Sequence, residues 1–204
     1  MTVPAHTLAD SRTKASDYIR FLRAWVQRPR QTASIVPSSP HLGRMMAAQI
    51  DPAGGPVMEL GGGTGALTRQ ILATGLPREK LEVVEINGHF ARELRVAFPG
   101  VHILETPAEM VSDHAAGAAG SYQAIISGLP LLAMGAGQQH AILAEAFHLL
   151  AADGALVQFT YSPRSPFRRE VVEALGLSVT KIGSILRNVP PATVFRVARN
   201  LAED

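Results

Sequence analysis

The 204-residue chain is 47% hydrophobic and 18% charged, a composition typical of a globular protein. Its length fits one α/β domain with a full core, and is too short for a cofactor domain plus a substrate domain of comparable size. The chain has no cysteine, which excludes disulfides and thiolate metal sites, and its seven histidines show no ligand spacing, so we expect no bound metal. No apolar run approaches the ~20 residues of a membrane-spanning helix. The first residues lack the apolar core of a signal peptide, so we expect a cytoplasmic protein.

Residues 1–30 are a basic arm, which we separate from a single domain over residues 31–204. The arm has six basic and two acidic side chains, a net charge of +4 in a chain whose total is +2. Between residues 17 and 28, apolar residues recur at three- and four-residue spacing with arginines between them, which predicts an amphipathic helix. Such a helix is typical of segments that bind an anionic membrane surface, and packing on the domain's own core is the alternative. The residues expected to contact the membrane are Tyr18, Arg20, Leu22, Arg23, Trp25 and Val26.

The rest of the chain alternates apolar runs with helical patterns, which predicts βαβ units and a mostly parallel sheet. After the break at Pro37-Ser38-Ser39-Pro40, Pro40 suits the first position of a helix that runs to about residue 50. We predict strands at 57–60, 81–86, 101–105, 123–127 and 154–161, helices at 66–74, 88–97, 138–151 and 166–175, and an irregular segment or short helix at 107–118. Two more strands, at 177–187 and 192–199, close the sheet as an antiparallel pair.

The most informative segment is Glu59-Leu60-Gly61-Gly62-Gly63-Thr64-Gly65, between the first strand and a helix. Glycines let the backbone turn sharply and approach a ligand closely, so we expect a Cβ at Gly63 to obstruct the loop. The segment resembles motif I of the class I methyltransferases, and it also satisfies a permissive dinucleotide fingerprint. Glu59 favours S-adenosylmethionine, because a carboxylate there would repel a pyrophosphate but suits a sulfonium and an ammonium.

Two later strand ends carry further candidates for cofactor binding. Glu85 closes the second strand, where a carboxylate can accept hydrogen bonds from both hydroxyls of a ribose. A solvated acid at a strand end is the alternative. After the third strand, Pro107 stands where class I methyltransferases usually have an acid that binds adenine. The backbone around Ala108 and the side chain of Glu109 are the remaining candidates, and a surface role for Glu109 is equally open.

The fourth strand ends in Ser127-Gly128-Leu129-Pro130-Leu131, the position of methyltransferase motif IV. Backbone carbonyls of this loop can face a methyl acceptor, and Gly128 and Pro130 set its path. Enzymes that methylate an amino group on a base usually have an aromatic ring where this chain has Leu131. An aliphatic amine is therefore the better acceptor, and an ordinary strand-end turn is the alternative.

Tyr161 follows the fifth strand at the same edge of the predicted sheet. Its ring can pack against an alkylammonium, and its hydroxyl can orient the nitrogen. Arg164 and Arg168, which follow it, suit a phosphate. A core tyrosine followed by a solvated arginine face is the alternative.

From about residue 17 onward, the chain resembles the small soluble bacterial phospholipid N-methyltransferases, which are similar to the ribosomal RNA adenine dimethyltransferases. The resemblance rests on the glycine loop and on Phe21-Leu22-Arg23-Ala24-Trp25, Ile35-Val36-Pro37-Ser38-Ser39-Pro40-His41-Leu42, Ser127-Gly128-Leu129-Pro130 and Gln158-Phe159-Thr160-Tyr161. It implies an α/β class I methyltransferase fold, with a Rossmann-like, mostly parallel, seven-stranded sheet and N-terminal amphipathic helices. It also implies up to three methylations of phosphatidylethanolamine towards phosphatidylcholine, with S-adenosylmethionine as the methyl donor.

The resemblance further implies roles for individual residues. The implied cofactor contacts are Ser38, Glu59, Gly61, Gly63, Thr64, Gly65, Glu85, Ile86, Ala108, Glu109 and Ser127. The implied substrate contacts are Ser39, Tyr161, Arg164 and Arg168, and the implied catalytic positions are Tyr161, Ser127, Gly128, Leu129 and Pro130. We expect a monomer, peripherally bound to the inner face of the plasma membrane, with a phospholipid partner, no nucleic acid and no metal. An RNA adenine N6-methyltransferase and a non-enzymatic nicotinamide dinucleotide-binding module are the alternatives.

Overall fold

The computed structural model describes residues 40–186 and 190–200 of the chain. The helices and strands in this part are α1 (Pro40–Ala47), β1 (Val57–Leu60), α2 (Ala66–Leu72), β2 (Leu81–Val84), α3 (Gly88–Ala97), β3 (His102–Leu104), β4 (Tyr122–Ser127), α4 (Ala136–Leu149), β5 (Leu150–Thr160), α5 (Arg169–Ala174), β6 (Leu177–Ile185) and β7 (Ala192–Arg199). Short 3₁₀ turns lie at Arg78–Lys80, Ala108–Asp113 and Leu131–Ala133.

The strands form one seven-stranded sheet in the order β3-β2-β1-β4-β5-β7-β6. Strands β1 to β5 run parallel, and β7 lies antiparallel between β5 and β6. The chain order reverses between β1 and β4, the position at which doubly wound sheets bind ligands at the carboxyl ends of their strands. The predicted mostly parallel sheet with a closing antiparallel pair is confirmed.

Helices cover both faces of the sheet. On one face, α1, α2 and α3 contribute Leu42, Ile71 and Leu94 to a buried apolar cluster. On the other face, α4 and α5 contribute Leu143 and Val171 to a second cluster. Every residue of β1 and β2 is buried, which explains why these strands appear in the sequence as nearly continuous apolar runs.

Two helices begin at the ligand edge of the sheet. Gly65, in a left-handed conformation with φ of 75°, precedes α2 directly after β1. The side chain of Asn87 caps α3 after β2, accepting the backbone N–H groups of His89 and Phe90 at 2.9 and 3.4 Å. The residues between each strand and its helix are therefore held at the edge where a cofactor is expected.

Some element boundaries differ from those predicted. Strand β2 ends at Val84 instead of residue 86, and β5 begins at Leu150, directly after α4, instead of residue 154. Helix α5 begins at Arg169 instead of residue 166, because residues 165–167 form a hydrogen-bonded turn before the helix. In that turn the hydroxyl oxygen of Ser165 accepts the backbone N–H of Phe167 at 3.2 Å.

Candidate active site

The loop between β1 and α2 is bonded to the end of β2. The backbone N–H groups of Gly61 and Gly62 donate to the carbonyl of Val84 at 2.8 and 3.1 Å. Gly61, Gly63 and Gly65 have φ values of 84°, 50° and 75°, which residues with a Cβ rarely adopt. The glycine pattern found in the sequence therefore sets the path of this loop.

The glycines of the loop differ in what surrounds them. A Cβ at Gly62 would lie 2.4 Å from Cγ1 of Val83, and a Cβ at Gly65 would lie 2.4 Å from the ring of Phe98. A Cβ at Gly63 would meet no atom of the described part of the chain within 4 Å. Among the described residues nothing would obstruct a Cβ at Gly63, so the expected obstruction can come only from its left-handed backbone, with φ of 50°, or from a bound ligand, and it stays a prediction.

Glu59 is fully buried in β1. Its Oε2 accepts a 2.6 Å hydrogen bond from the hydroxyl of Thr68 in α2, and its Oε1 has no hydrogen-bond partner within residues 40–186 and 190–200. Burial, reinforced by the charge of Glu85, raises the pKa of Glu59 to about 8, although the hydrogen bonds with Thr68 act in the opposite direction. Near neutral pH this group is largely protonated, and a cation beside it would favour the carboxylate.

Glu85 lies directly after β2 and is only 8% exposed. Its Oε2 accepts the backbone N–H of Gly63 at 2.8 Å, and its Oε1 accepts that of Asn87 at 2.8 Å. The backbone therefore orients this carboxylate, and each of its oxygens retains a lone pair for a further donor. Glu85 is thus not a solvated acid at a strand end. Thr64, which follows Gly63 in the loop, is exposed.

Exposed apolar side chains follow the ends of β2 and β3. Ile86 is 70% exposed and Met110 is 50% exposed, although both are large and hydrophobic. Between β3 and β4, Ala108 is buried at the start of the 3₁₀ turn, and the carboxylate of Glu109 accepts a 2.7 Å hydrogen bond from Gln138. The predicted irregular segment therefore includes a turn that connects to α4.

Two buried polar residues at this edge have no role in the predictions from sequence. The Oγ1 atom of Thr106, after β3, and the Oε1 atom of Gln158, in β5, have no hydrogen-bond partner in the described residues. Together with Oε1 of Glu59, these are the three buried side-chain oxygens in the described residues that have no hydrogen-bond partner there. All three lie near the carboxyl ends of parallel strands. For Thr106 the sequence signal was a polar residue directly after an apolar strand, and Gln158 belongs to the Gln158-Phe159-Thr160-Tyr161 segment on which the resemblance rests, but neither was given a role.

The segment after β4 is bonded to the ends of β1 and β5. The N–H of Gly128 donates to the last carbonyl of β1 at 2.8 Å. The carbonyl of Leu129 accepts hydrogen bonds from the N–H of Leu131 and from Nε2 of Gln158, both at 2.9 Å. Ser127 is fully buried, and its hydroxyl oxygen accepts the N–H of Leu129 at 3.4 Å.

This segment also lies against the glycine loop. A Cβ at Gly61 would be 3.1 Å from Cδ2 of Leu129, so the two motifs meet at the switch point of the sheet. The carbonyl of Pro130 accepts the N–H of Ala133 at 2.9 Å, closing a turn. Leu131 is 1% exposed and belongs to the core. Leu131, where the motif resemblance leads one to expect an aromatic ring in a base-methylating enzyme, is therefore a buried aliphatic side chain.

Tyr161 is half-buried just beyond β5. Its ring packs edge to face on Phe159, with ring centroids 5.3 Å apart, and lies against the core beneath the first three helices. Arg164 and Arg168 are exposed in the loop that follows. The guanidinium of Arg168 lies 3.8 Å from the carboxylate of Glu170. Tyr161, Arg164 and Arg168 thus share one loop, and Tyr161 also contributes to packing.

Several predicted contacts lie outside the described residues. These are Ser38, Ser39, Tyr18, Arg20, Leu22, Arg23, Trp25 and Val26. Among the helices of the described ranges, none is long and apolar enough to cross a membrane. In the same ranges, histidine, aspartate and glutamate side chains form no group of three or more that could hold a metal ion.

No family model and no curated protein matches the chain. Solved structures share its fold. A TehB-like SAM-dependent methyltransferase from Corynebacterium glutamicum aligns with a TM-score of 0.61 and 16% identity over 89% of this chain and 99% of that chain. A 1,6-didemethyltoxoflavin-N1-methyltransferase from Burkholderia thailandensis, solved with 1,6-didemethyltoxoflavin and S-adenosylhomocysteine, aligns with a TM-score of 0.60 and 13% identity over 98% and 93% of the two chains.

A third structure, the CurJ carbon methyltransferase, aligns with a TM-score of 0.56 and 18% identity over 75% of this chain. The chain spans about half of that protein, 51% of its length. These likenesses, together with the strand order, give the chain the class I methyltransferase fold. The fold predicted from the sequence is therefore confirmed.

Proposed function

We propose that this chain is an S-adenosylmethionine-dependent N-methyltransferase that converts phosphatidylethanolamine towards phosphatidylcholine at a membrane surface. The observation that supports S-adenosylmethionine as the methyl donor is the arrangement around the glycine loop. Within residues 40–186 and 190–200, one oxygen of the buried Glu59 has no hydrogen-bond partner and no atom lies within 4 Å of a Cβ built at Gly63, while Glu85 is fixed at the end of the next strand. This arrangement suits a ligand that has both a cationic end and a ribose.

The described residues fit S-adenosylmethionine in chemistry. Glu85 retains lone pairs for the ribose hydroxyls, and the open backbone at Gly63 permits close approach. Ile86 and Met110 provide exposed apolar surface on which an adenine could lie. The other residues that we assign to the cofactor are Ser38, Gly61, Thr64, Gly65, Ala108, Glu109 and Ser127.

Glu59 favours S-adenosylmethionine over a dinucleotide. Its buried Oε1 has no partner in the described residues, so a neighbouring ammonium or sulfonium would compensate for the cost of burying the carboxylate. A pyrophosphate at the same place would instead hold the carboxyl in its protonated form. The dinucleotide-binding alternative therefore requires Glu59 to stay protonated, so that it donates a hydrogen bond instead of pairing with a cation.

The loop after β4 supports an aliphatic amine as the acceptor. Leu131 is buried, so it offers no surface on which a base could stack. The carbonyls of Leu129 and Leu131 accept hydrogen bonds from Gln158 and Gln139 within the protein. We therefore assign the contact with the amine N–H to the carbonyl of Gly128. An RNA adenine methyltransferase would lack its usual stacking partner here.

When bound, S-adenosylmethionine would supply an activated methyl group, on a sulfonium, for transfer to the amine nitrogen. The chain's part in the reaction is to align the amine and exclude water, effects that account for several kcal/mol in well-ordered sites. The amine must lose a proton before it attacks. We assign its orientation or deprotonation to the Tyr161 hydroxyl, because Tyr161 lies at the ligand edge. His41 is bonded to Arg44 at 2.9 Å, and His140 is exposed on α4, so both are weaker candidates.

A phospholipid acceptor also requires contacts beyond the amine. Arg164 and Arg168 are exposed next to Tyr161, where they can bind the lipid phosphate. Ser39 is the further proposed substrate contact, and residues 1–30 are the proposed anchor to anionic lipid. A monomer bound to the inner face of the plasma membrane would meet its substrate in this way.

The test is incubation of the full chain with methyl-labelled S-adenosylmethionine and vesicles of phosphatidylethanolamine and phosphatidylglycerol. We expect label in mono-, di- or trimethylated phosphatidylethanolamine after lipid extraction and chromatography. Vesicles with phosphatidylcholine in place of phosphatidylethanolamine are the control, since they offer no amine to methylate. A chain that binds S-adenosylmethionine but labels no lipid would exclude this acceptor.

Two parallel measurements separate the alternatives. Label in adenine of ribosomal RNA, and not in lipid, would identify an RNA methyltransferase. Calorimetric binding of NAD without binding of S-adenosylmethionine would identify a dinucleotide-binding module.

A further inference from the structure

We infer that Gln139 is a positioning residue for the methyl acceptor, because its buried amide ties the loop after β4 to the loop after β5. The inference rests on the proposed function, which assigns the acceptor to residues of these two loops. Gln139 lies in the first turn of α4 and is 1% exposed. Glutamine on a helix is ordinarily a surface residue, so its burial calls for partners.

The partners of Gln139 belong to two separate loops. Its Nε2 donates to the carbonyl of Leu131 at 2.7 Å and to the carbonyl of Pro166 at 3.0 Å. Its Oε1 accepts the backbone N–H of Arg168 at 2.9 Å. Both N–H groups of the Gln139 amide are therefore hydrogen-bonded. The opposite orientation of the amide would set its oxygen against two carbonyls, so the partners fix the orientation.

Two further side chains tie the same loops to the fold. Nε2 of Gln158 in β5 holds the carbonyl of Leu129 at 2.9 Å. Nε of Arg168 donates to the carbonyl of Met134 at 3.4 Å. Residues 127–135 and 161–168, which are distant in sequence, are thus linked through Gln139 and by the Arg168–Met134 bond, while Gln158 ties the first segment to β5. Gln139 is the buried link between them.

Loss of the Gln139 amide would affect the acceptor more than the cofactor. The carbonyl of Pro166 and the N–H of Arg168 would lose their buried partner, and the second loop would be free to shift. Gly128 and Tyr161 belong to the linked loops, and small displacements of reacting groups lower rates strongly. The glycine loop is held separately by Val84 and Glu85, so cofactor binding should be preserved.

The chain offers a matched control for this amide. Oε1 of Gln123 accepts the N–H of Asp51 at 2.9 Å, and its Nε2 donates to the carbonyls of Asp51 and Gly55 at 2.8 and 2.6 Å. Gln123 therefore makes the same three kinds of bond as Gln139. It lies near the amino end of β4, at the opposite edge of the sheet from the glycine loop.

The experiment compares Gln139→Met and Gln123→Met in the full chain with phosphatidylethanolamine vesicles. We expect Gln139→Met to raise the KM for the lipid about tenfold and to lower kcat, with the Kd for S-adenosylmethionine changed less than about twofold. Hydrogen exchange should accelerate at residues 161–168. Gln123→Met should leave the lipid KM and that exchange unchanged, with faster exchange confined to residues 51–55.

Several outcomes decide the matter. An unchanged lipid KM in folded Gln139→Met, or equal effects of both variants, would overturn the inference. If the parent methylates no lipid, the proposed function fails, and hydrogen exchange alone then tests the link between the loops. Unchanged exchange at residues 161–168 in Gln139→Met overturns that link, and faster exchange supports it. If Gln139→Met does not fold, Gln139→Asn replaces it, because it keeps a neutral amide but is one methylene too short to bond both loops at once.

Discussion

The carboxyl of Glu59 and the hydroxyl of Thr68 form a buried hydrogen bond of 2.6 Å that joins β1 to α2. Because the other carboxyl oxygen has no partner in the described residues, Thr68 is the side chain that orients Glu59. The strand and the helix on either side of the glycine loop are thus connected through one titratable group. The protonation state of Glu59 should therefore affect the stability of the fold as well as the binding of a cation.

The stability of the parent should depend on pH through Glu59. This carboxyl has a pKa of about 8 when folded, against 4.5 for an ordinary glutamate, because burial disfavours its charge. Between those values the folded state binds more protons than the unfolded chain, so the contribution of Glu59 to stability falls as pH rises from about 4.5 to about 8. The amide of Glu59→Gln does not titrate, so this variant does not lose stability over the same pH range. Urea unfolding at about pH 5 and about pH 8 should show the variant gaining on the parent at the higher pH, and a difference independent of pH would contradict the assignment.

Substitutions at two glycines of the loop should separate binding from stability. Gly63→Ala places a Cβ where no described atom lies within 4 Å, so it should cost only the ~1 kcal/mol of a left-handed alanine yet strongly weaken S-adenosylmethionine binding. Gly65→Ala should destabilise the fold more, because its Cβ would lie 2.4 Å from the ring of Phe98. Urea unfolding and calorimetry measure the two effects. Binding like that of the parent by Gly63→Ala would show that the cofactor does not approach this backbone.

Glu85→Ala should weaken S-adenosylmethionine binding by roughly 1–3 kcal/mol, since one or two hydrogen bonds to the ribose are lost. Part of this loss should come from the loop itself, because Glu85 also accepts the N–H of Gly63. Glu93→Ala is the control, as Glu93 is an exposed acid of α3 that pairs with His89. Equal affinities of both variants in a calorimetric titration would remove Glu85 from the site.

The sequence predicted the parts of the site that local patterns encode. The apolar run before Glu59 and the glycines after it specify a buried strand and a sharp turn, and both occur, the turn with positive φ at its glycines. Glu85 was identifiable because an acid directly follows a second apolar run. The seven-stranded sheet followed from the same alternation of patterns along the chain.

The parts of the site that the sequence did not predict depend on contacts between segments that are distant in the chain. Nothing near Gln139 in the sequence indicates that its amide joins Leu131 to Pro166, since the partners meet only after the helix packs on the sheet. The difference between the glycines of the loop likewise depends on packing. Val83 and Phe98 lie against Gly62 and Gly65, whereas no described atom lies within 4 Å of a Cβ at Gly63. Such relationships arise from tertiary packing, which periodicity and composition do not encode.

Tyr161 should affect methyl transfer and not cofactor affinity. Tyr161→Phe removes the hydroxyl but keeps the ring that packs on Phe159, so turnover should fall at least about tenfold if the hydroxyl orients or deprotonates the amine. Tyr161→Ala should be worse, because the ring is lost as well. Transfer of labelled methyl groups to vesicles and calorimetry with S-adenosylmethionine are the two measurements. Full methylation by both variants would leave Tyr161 with a packing role alone.

Residues 1–30 should anchor the enzyme to its lipid. The arm combines the apolar residues Tyr18, Leu22, Trp25 and Val26 with six basic side chains, and each basic residue near an anionic surface contributes roughly 1 kcal/mol. Binding of the full chain to phosphatidylglycerol vesicles should therefore weaken as salt increases, and should need anionic lipid.

Deletion of residues 1–30 tests the anchor by sedimentation with the same vesicles, with circular dichroism to confirm that the remaining domain is folded. We expect the folded truncation to stay in the supernatant while still binding S-adenosylmethionine, because the glycine loop and Glu85 are retained. The double variant Arg20→Gln, Arg23→Gln separates charge from apolar insertion, since it keeps Leu22 and Trp25 and should lose only part of the binding. Undiminished vesicle binding by the folded truncation would place the membrane contact on another part of the chain.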